Sequence, residues 1–184
     1  MNELKIEVVK YKDISPILRE ELCEEARICF PQFTHRYGHR FYFEALPEVV
    51  FIARYNDKIV GFRNLVERRF EVGGREVFVA GLSVAVDPEY RGRGIAKSLT
   101  SSILDYINEG DYDAAMAFVI SPVAVHMLET FDFKEIKTPL YFRDSQTDEL
   151  LLSDDRIFIK DIRGANLIKE IERLDKIYVG AGVW

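Results

Sequence analysis

The sequence predicts an α/β (α+β) fold in which a mixed, mostly antiparallel sheet of about seven strands is flanked by helices. Residues 4–10 alternate apolar and charged side chains, the two-residue period of a strand with one buried face. Between Asp13 and Cys29 the apolar residues recur at three- and four-residue steps, which indicates a helix. Gly73-Gly74 stands between two long strand-like runs and predicts a β-hairpin.

The other elements follow from the same periods. Ser15 is the predicted cap of the first helix, Pro16 lies in its first turn, and the helix should end near Pro31. An aromatic-rich segment, residues 39–45, predicts a second and less regular helix. Further strands are predicted at 49–55, 59–72, 77–86, 114–120, 133–142 and 156–162, and further helices at about 95–110, 122–131 and 166–174, before a tail at 177–184.

Composition and length limit the class of protein. The 184 residues are 48% hydrophobic and 30% charged, which excludes global disorder and predicts one domain spanning 1–184. The net charge of −6 argues against nonspecific nucleic-acid binding and favours cationic partners such as amines. Residues 144–155 carry five acidic side chains and no basic one, which predicts a solvated loop.

Neither a membrane segment nor a metal site is expected. The first ten residues lack the apolar core of a signal peptide, and no run approaches the ~20 apolar residues of a spanning helix, so we expect a cytoplasmic protein. Cys23 and Cys29 lie in one predicted helix, roughly 9 Å apart along its axis, which predicts two buried thiols. The histidines and cysteines show no zinc spacing.

One segment carries the chemistry. The strand that ends at Val86 leads into a loop with Gly92 and Gly94, and the loop leads directly into an amphipathic helix. The first amides of such a helix have no partner, and the helix dipole adds positive charge, so the segment suits a phosphate. Positive side chains in the same segment are Arg91, Arg93 and Lys97.

Other nucleotide loops do not fit this segment. It lacks the GK(S/T) end of a Walker loop, and Lys97 stands where a dinucleotide fingerprint needs a third glycine. From the residues alone, an anion site and an ordinary glycine-containing turn with solvated arginines both stay open.

The segment is similar to the acyl-CoA loop of the GNAT acyltransferase superfamily. The pattern Q/R-x-x-G-x-G/A is filled by Arg91, Gly94 and Ala96, after a β-hairpin and a Val-x-Val-x-Pro lead-in. The resemblance covers most of the chain and leaves the helix and tail at 164–184 unexplained. It implies a GNAT fold splayed between the fourth and fifth strands, with a bulge near Gly81 to Ser83 as a natural cause of the splaying.

The resemblance also implies acetyl-CoA as cosubstrate. The backbone of 92–97 would hold the pyrophosphate and the strand edge at 84–86 the pantetheine, while an N–H near Val84 would stabilise the oxyanion formed when an amine attacks the thioester. The implied CoA-binding residues are Val84, Ala85, Val86, Arg91, Gly92, Arg93, Gly94, Ile95, Ala96, Lys97 and Ser121.

The usual acid and base positions of the family are filled by apolar residues. The tyrosine that protonates the departing thiolate is replaced by Leu128, and two positions that carry a glutamate in some members are Leu82 and Met116. None of these side chains exchanges a proton.

Two side chains are candidate replacements. If the hairpin pairs symmetrically about its glycines, Glu67 lies opposite Ala80 on the face of Leu82, which makes it the candidate base. The alternative is a solvated carboxylate paired with a neighbouring arginine. Tyr141 is the candidate acid, with an aromatic at the edge of the core as the alternative.

The chain ends in Gly-Ala-Gly-Val-Trp, and this end is similar to that of the aminoglycoside 2′-N-acetyltransferases, a GNAT branch. By that resemblance Trp184 and its carboxylate would help bind a cationic acceptor, and the alternative is simple packing or a frayed end.

The sequence therefore predicts an acetyl-CoA-dependent N-acetyltransferase that acts on a primary amine of a small molecule or peptide. A homodimer is compatible with this prediction. A CoA-binding sensor or interaction module without catalysis is the alternative.

Overall fold

The structure is a computed structural model that describes residues 3–35, 37–119 and 121–184. The helices are α1 (Pro16–Cys29), α2 (Ile95–Glu109), α3 (Pro122–Glu129) and α4 (Leu167–Ile171). The strands are β1 (Leu4–Lys10), β2 (Val49–Tyr55), β3 (Lys58–Val72), β4 (Arg75–Val86), β5 (Ala114–Val119), β6 (Lys134–Ile136), β7 (Leu140–Arg143), β8 (Leu150–Leu152), β9 (Arg156–Asp161) and β10 (Ile177–Ala181). Within the described ranges, no helix is both long and apolar enough to cross a membrane.

The main sheet has seven strands in the order β1-β2-β3-β4-β5-β9-β6 among the described residues. Strands β4 and β5 run parallel, whereas β1 with β2, β2 with β3 and β9 with both β5 and β6 are antiparallel. The predicted mixed sheet of about seven strands with flanking helices is confirmed. Ile120, the predicted end of the fifth strand, lies outside the described residues.

Contacts along the chain form two compact units. The first comprises residues 1–66 and 83–106, and the second comprises residues 67–82 and 107–184. In the first unit, α1 buries Leu22, Cys23 and Ala26 in a cluster that includes Ile52 and Phe62 of the sheet. Both cysteines are free and buried, as predicted. The single domain that the length predicts stays a prediction.

The β3–β4 hairpin turns at Gly73 and Gly74, whose φ angles of 60° and 86° only glycine adopts readily. At the other end of the hairpin the Asp87 N–H donates to the Val60 carbonyl at 3.1 Å. Val60 and Asp87 are partners in the symmetric register that the sequence predicts, so that register holds at both ends of the hairpin.

A second sheet, in the order β10-β7-β8, was not predicted. The predicted strand at 133–142 breaks in two at Pro139, which has no N–H to give to a ladder. Its first part is β6 of the main sheet, and its second part is β7. The predicted loop at 144–155 contains β8, and the predicted tail contains β10.

Of the predicted helices, one does not form and another is shorter than predicted. Residues 39–45 form bends rather than a second helix, because their aromatic side chains pack on one another and on the sheet; the Phe41 ring, for example, contacts those of Tyr42 and Phe62. The last helix is α4, which covers only 167–171 of the predicted 166–174.

The start of α1 gives a test of local stability. The Ser15 side chain accepts a hydrogen bond from the Leu18 N–H at 3.2 Å, whereas Ser121, at the same position of α3, makes no such bond. We expect Ser15→Ala to lower the free energy of unfolding by about 1 kcal/mol. Ser121→Ala is the matched control and should change it by less than about half as much. Equal losses in urea denaturation would contradict the assignment of this cap.

Candidate functional site

The loop that follows β4 has the geometry of an anion site. Gly92 and Gly94 have φ angles of 77° and 79°, and a Cβ added at either would meet nothing within 4 Å. The first helical bond of α2 runs from the Ser98 N–H to the Gly94 carbonyl at 2.9 Å. In the described part of the chain, the N–H groups of residues 92–97 have no acceptor. They are therefore available to an anion, with the α2 dipole behind them.

The positive side chains of the loop have different tasks. Arg91 Nε donates to the Val86 carbonyl at 3.1 Å, and Arg93 Nη2 donates to the Glu89 carbonyl at 3.4 Å while its guanidinium lies 5.0 Å from the Tyr90 ring centroid. Arg91 thus ties the loop to the end of β4, and Arg93 binds the loop to itself. Lys97 is exposed in the first turn of α2, where its ammonium adds to the positive potential.

Fewer backbone groups on the free edge of β4 are available to a ligand than the sequence predicts. Because Val60 and Asp87 are a hydrogen-bonded pair, the antiparallel alternation directs the N–H and C=O of Ala85 towards β3. The backbone groups of Val84 and Val86 point the other way, but the Val86 carbonyl already accepts from Arg91. The Val84 N–H and C=O and the Val86 N–H remain for a ligand.

A buried cation lies beneath α2. Arg63 is 1% exposed, and its Nη1 donates to Thr100 Oγ1 at 2.6 Å, while Thr100 Oγ1 donates to the Ala96 carbonyl at 2.7 Å. Arg63 Nε has no hydrogen-bond partner, and no carboxylate pairs with this guanidinium among the described residues. Burial lowers the pKa of Arg63 to about 10, so it remains charged at neutral pH and makes the interior behind the loop positive.

The base of the loop holds a buried carboxylate pair. Asp87 accepts from Lys58 Nζ at 3.0 Å and from the Glu89 N–H at 2.9 Å. Although burial opposes the change, these bonds lower the pKa of Asp87. Burial and the Asp87 charge raise the pKa of Glu25 to about 7, and Cys29 Sγ contacts Glu25 Oε1 at 3.6 Å.

In the second unit, the parallel pairing of β4 with β5 is short. It runs without a register shift from Val79 opposite Ala114 to Leu82 opposite Ala117, and the described residues show no further pair. The pairing thus ends where the sequence predicts that the strands splay. The expected bulge near Gly81 does not occur in this ladder.

Trp184 occupies the space above Gly81. An added Cβ at Gly81 would lie 2.7 Å from Trp184 Nε1 and closer still to the ring carbons. The indole Nε1 donates to the Met116 carbonyl at 3.3 Å, and its ring contacts Phe118 edge to face at 4.8 Å between centroids. Gly81 is required because the indole packs against the strand backbone. The end of the chain is therefore packed on β4 and β5 rather than frayed.

Arg68 holds the segment before this tryptophan. Its Nη2 donates to the Ala181 carbonyl at 2.6 Å, and its guanidinium lies 5.9 Å from the Trp184 ring centroid. Arg68 Nε is buried with no partner in the described part of the chain, and burial lowers the pKa of this side chain.

Glu67 lies on the other face of β3. Adjacent residues of a strand point to opposite faces, and Arg68 contacts Trp184, so Glu67 faces away from the tryptophan. Its Oε1 accepts from the Tyr112 hydroxyl at 2.7 Å, and the Tyr112 ring stacks on Phe78 at 4.6 Å. Phe78 precedes Val79, which forms the first β4–β5 pair, so Glu67 reaches towards the start of this ladder.

The other predicted residues are dispersed. Tyr141 is half-buried in β7, with Lys176 Nζ 5.8 Å from its ring centroid. Ser121 is exposed at the start of α3. Leu82, Met116 and Leu128 are buried, so the usual acid and base positions are part of the core.

Sequence reasoning missed Arg63 and the partner of Gly81. An arginine inside the apolar run of β3 was a signal for a buried cation, since such a run predicts two buried faces. The glycine in β4 was a signal for close approach as much as for a bulge, but nothing local identified the approaching group.

Comparisons with known proteins identify the family. The sequence matches the acetyltransferase (GNAT) family over residues 17–133. It is 30% identical over 121 residues to N-alpha-acetyltransferase 30 of Schizosaccharomyces pombe. The alignment covers 58% of this chain and 72% of that protein. The family match includes the loop at 91–97, so the family assignment and the loop geometry concern the same residues.

Solved structures share the fold. The GNAT family N-acetyltransferase YhbS from Escherichia coli, in complex with CoA, has a TM-score of 0.61 at 18% identity, covering 99% of this chain and 91% of that chain. Arabidopsis thaliana NAA60, in complex with a bisubstrate analogue, has a TM-score of 0.58 at 20% identity, covering 87% and 99%. The chain spans 33% of the length of a GNAT structure from Kribbella flavida.

The match over residues 17–133 defines an acyltransferase of a family that takes its acyl group from CoA. The chain belongs to the GNAT acetyltransferase family, whose members use acetyl-CoA, and it is an N-acetyltransferase by class.

The carboxylate pair predicts a pH dependence of stability. Between pH 4.5, the ordinary pKa of Glu25, and about 7, its pKa in the folded chain, the unfolded chain has lost the proton that the folded chain keeps. The free energy of unfolding therefore falls as the pH rises through this window, by about 3 kcal/mol for this group. Glu25→Gln should remove that fall in urea denaturation at pH 4.5 and pH 8. Glu24→Gln, which changes an exposed neighbour on α1, should keep it, and parallel curves for wild type and Glu25→Gln would refute the assignment.

Proposed function

We propose that this chain transfers the acetyl group of acetyl-CoA to the primary amine of a peptide. The observation that carries the donor half of the proposal is the loop with two left-handed glycines and unpartnered amides at the start of α2. A diphosphate matches this site because the amides, the helix dipole and Lys97 all favour negative charge there.

The residues present fit the cosubstrate. The amides of 92–97 would bind the pyrophosphate, and the free backbone groups of Val84 and Val86 would bond to pantetheine as an added strand does. The buried charge of Arg63 supports the anion from the interior side of α2. Ser121 is kept as a further candidate contact.

The amine is proposed to approach on the Trp184 face of β4. Trp184 packs on Gly81, the residue before Leu82, which forms the last β4–β5 pair. Glu67 lies on the opposite face and reaches towards the first pair, at Val79. A residue rises about 3.3 Å along a strand, so the three steps from Val79 to Leu82 separate the two ends by roughly 10 Å. Glu67 and Trp184 therefore do not serve the same amine.

The reaction on this reading depends on positioning. The neutral amine attacks the thioester carbonyl and forms a C–N bond, which gives a tetrahedral oxyanion. The C–S bond then breaks, coenzyme A leaves as the thiolate, and the extra proton on the nitrogen passes to water. An N–H of Val84 is the proposed donor to the oxyanion. Tyr141, the acid that the sequence predicts, lies on β7 of the second sheet, so water is proposed to protonate the thiolate instead. An amine that arrives neutral requires no strong base.

The name of one relative favours a polypeptide acceptor. The Schizosaccharomyces pombe relative is an N-alpha-acetyltransferase, and the chain covers most of its length. A panel of free-amine peptides and small amines, assayed for thiol release from acetyl-CoA, tests this proposal. Thiol release with peptides supports the proposal, and release only with small amines shows a small-molecule acceptor instead. CoA binding without any release supports the non-catalytic alternative.

Gly94→Ala tests the cosubstrate loop. A side chain at this φ costs about 1–2 kcal/mol and projects into the space of the anion. We expect the Kd of CoA, measured by calorimetry, to rise at least tenfold. Gly164→Ala is the control, because its φ of 68° and open surroundings impose the same backbone strain away from the loop. If both variants bind CoA equally well, the loop does not hold the pyrophosphate.

Gly81→Ala tests the tryptophan. The added methyl group would displace the indole, so we expect the acceptor KM to rise at least fivefold with the Kd of CoA unchanged. Deletion of Val183 and Trp184 should give a similar rise, and combining both changes should add little, since each removes the same contact. Additive effects, or an unchanged KM in the deletion, would show that Trp184 does not meet the acceptor.

Glu67→Gln decides between the two faces. With the amine on the Trp184 face, kcat should stay within about twofold of wild type, because no proton passes through this carboxylate. Rates with and without the substitution are compared at saturating acetyl-CoA over pH 6 to 9. A loss of more than tenfold with unchanged CoA affinity would place the amine on the Tyr112 face and make Glu67 the base, as the sequence alone predicts.

A further inference from the structure

The small sheet of the second unit has one packed face and one exposed face. Leu140 and Ile177 are neighbours in the β7–β10 ladder and are both buried. The next residues along, Tyr141 and Tyr178, point the other way, and Leu152 of β8 pairs with Tyr141 on that same face. We call this outward face, made of Tyr141, Leu150, Leu152 and Tyr178, the outer tyrosine face. Arg143, the partner of Leu150, lies on the same side, and Lys176 Nζ lies 5.8 Å from the Tyr141 ring centroid.

The outer tyrosine face is unusually apolar for a surface. Leu150 is 54% exposed, Leu152 is 50% exposed and Tyr178 is 44% exposed. Single exposed apolar residues need no explanation, but a contiguous exposed patch of them indicates a binding surface. Strand β8 is also the last strand of its sheet, and Leu151 on its other face is 37% exposed. Its outer backbone groups are therefore available to a further strand.

Acidic side chains surround this face. Residues 144–155, which include β8, contain five carboxylates and no basic side chain. Asp148 forms an ion pair with Arg143 at 3.4 Å. Glu149, Asp154 and Asp155 are exposed beside β8. We call these three residues the acidic rim.

The charge of the rim argues for a cationic occupant. A second copy of this chain would bring one acidic rim against another, and like charges across a strand pair destabilise it. A basic peptide would instead place its lysines or arginines beside the rim while its apolar side chains cover the leucines and tyrosines. Extended peptides bind exposed sheet edges through backbone bonds in this manner.

The face is connected to the tryptophan. Arg68 bonds the carbonyl of Ala181, the last residue of β10, and Ala181 pairs with Arg143 at the end of β7. From Ala181 to Trp184 the chain advances three residues, at most about 10 Å. A peptide on the outer tyrosine face would therefore reach the Trp184 region with its first residues.

We propose that the outer tyrosine face and the acidic rim bind an extended basic segment of the acceptor peptide, downstream of the amine that is acetylated. This inference rests on the proposed function for the identity of the acceptor, but docking itself needs no transfer.

The experiment measures docking and transfer separately with the full chain. Calorimetry is performed with an N-terminally blocked decapeptide that contains four lysines and two leucines, and with the same peptide carrying glutamates in place of the lysines. Because the blocked amine cannot react, binding reports docking alone. We expect the basic peptide to bind at least tenfold more tightly than the acidic one.

Two variants locate the site. Glu149→Gln with Asp154→Asn and Asp155→Asn removes the acidic rim, and Leu150→Ser with Leu152→Ser removes the apolar contact; each should weaken binding at least tenfold. The matched control neutralises three exposed acids elsewhere: Glu71→Gln, Asp105→Asn and Glu109→Gln. It changes the net charge equally and should keep the Kd within about twofold. Far-ultraviolet circular dichroism and the melting temperature check that each variant is folded.

The outcomes separate the claims. Equal binding of the two peptides, or an equal loss in the rim variant and its control, would overturn the docking proposal. So would a concentration-dependent dimer that the leucine variant abolishes. Basic docking without acetylation of the free-amine peptide would leave docking intact and refute the proposed function. Acetylation of both free-amine peptides with equal kcat/KM and no measurable docking would support the proposed function and refute the docking proposal.

Discussion

The short parallel pairing of β4 with β5 is the constraint on which the rest of the molecule depends. Four residue pairs, from Val79 to Leu82 on β4, close one end of this ladder. The described residues show no β4–β5 pair after Leu82, so the Val84 N–H and C=O and the Val86 N–H stay available on that edge. The loop and α2 follow from the same strand, which fixes the unpartnered amides relative to that edge.

The two faces of the hairpin have different roles. On one face, Glu67 and Tyr112 bond to each other beside the stacked Phe78 ring, an arrangement that satisfies a carboxylate and a hydroxyl at the edge of the core. On the other, Trp184 covers Gly81 and Arg68 binds the chain before it. The proposed mechanism, in which placement of the amine replaces a dedicated base, follows from this separation of the two faces.

The local parts of this structure were predictable from the sequence, and the long-range parts were not. Gly92 and Gly94 between a strand and an amphipathic helix specify their own geometry, and Gly73-Gly74 specify the hairpin. The second sheet depends on β7 pairing with β10, some 35 residues later in the chain, and no local period reports such a pairing. The face of Glu67 was deduced from the register, but the face of Trp184 depends on where the tail packs.

Trp184 is the single tryptophan of the chain, and it is 8% exposed. Its indole lies on the backbone of Gly81, hydrogen-bonds the Met116 carbonyl and has the Arg68 guanidinium near its ring. Its fluorescence therefore arises from one fixed environment beside the end of the β4–β5 ladder. A molecule that enters or vacates that environment changes the emission of the whole protein, so the native chain carries its own optical reporter of occupancy.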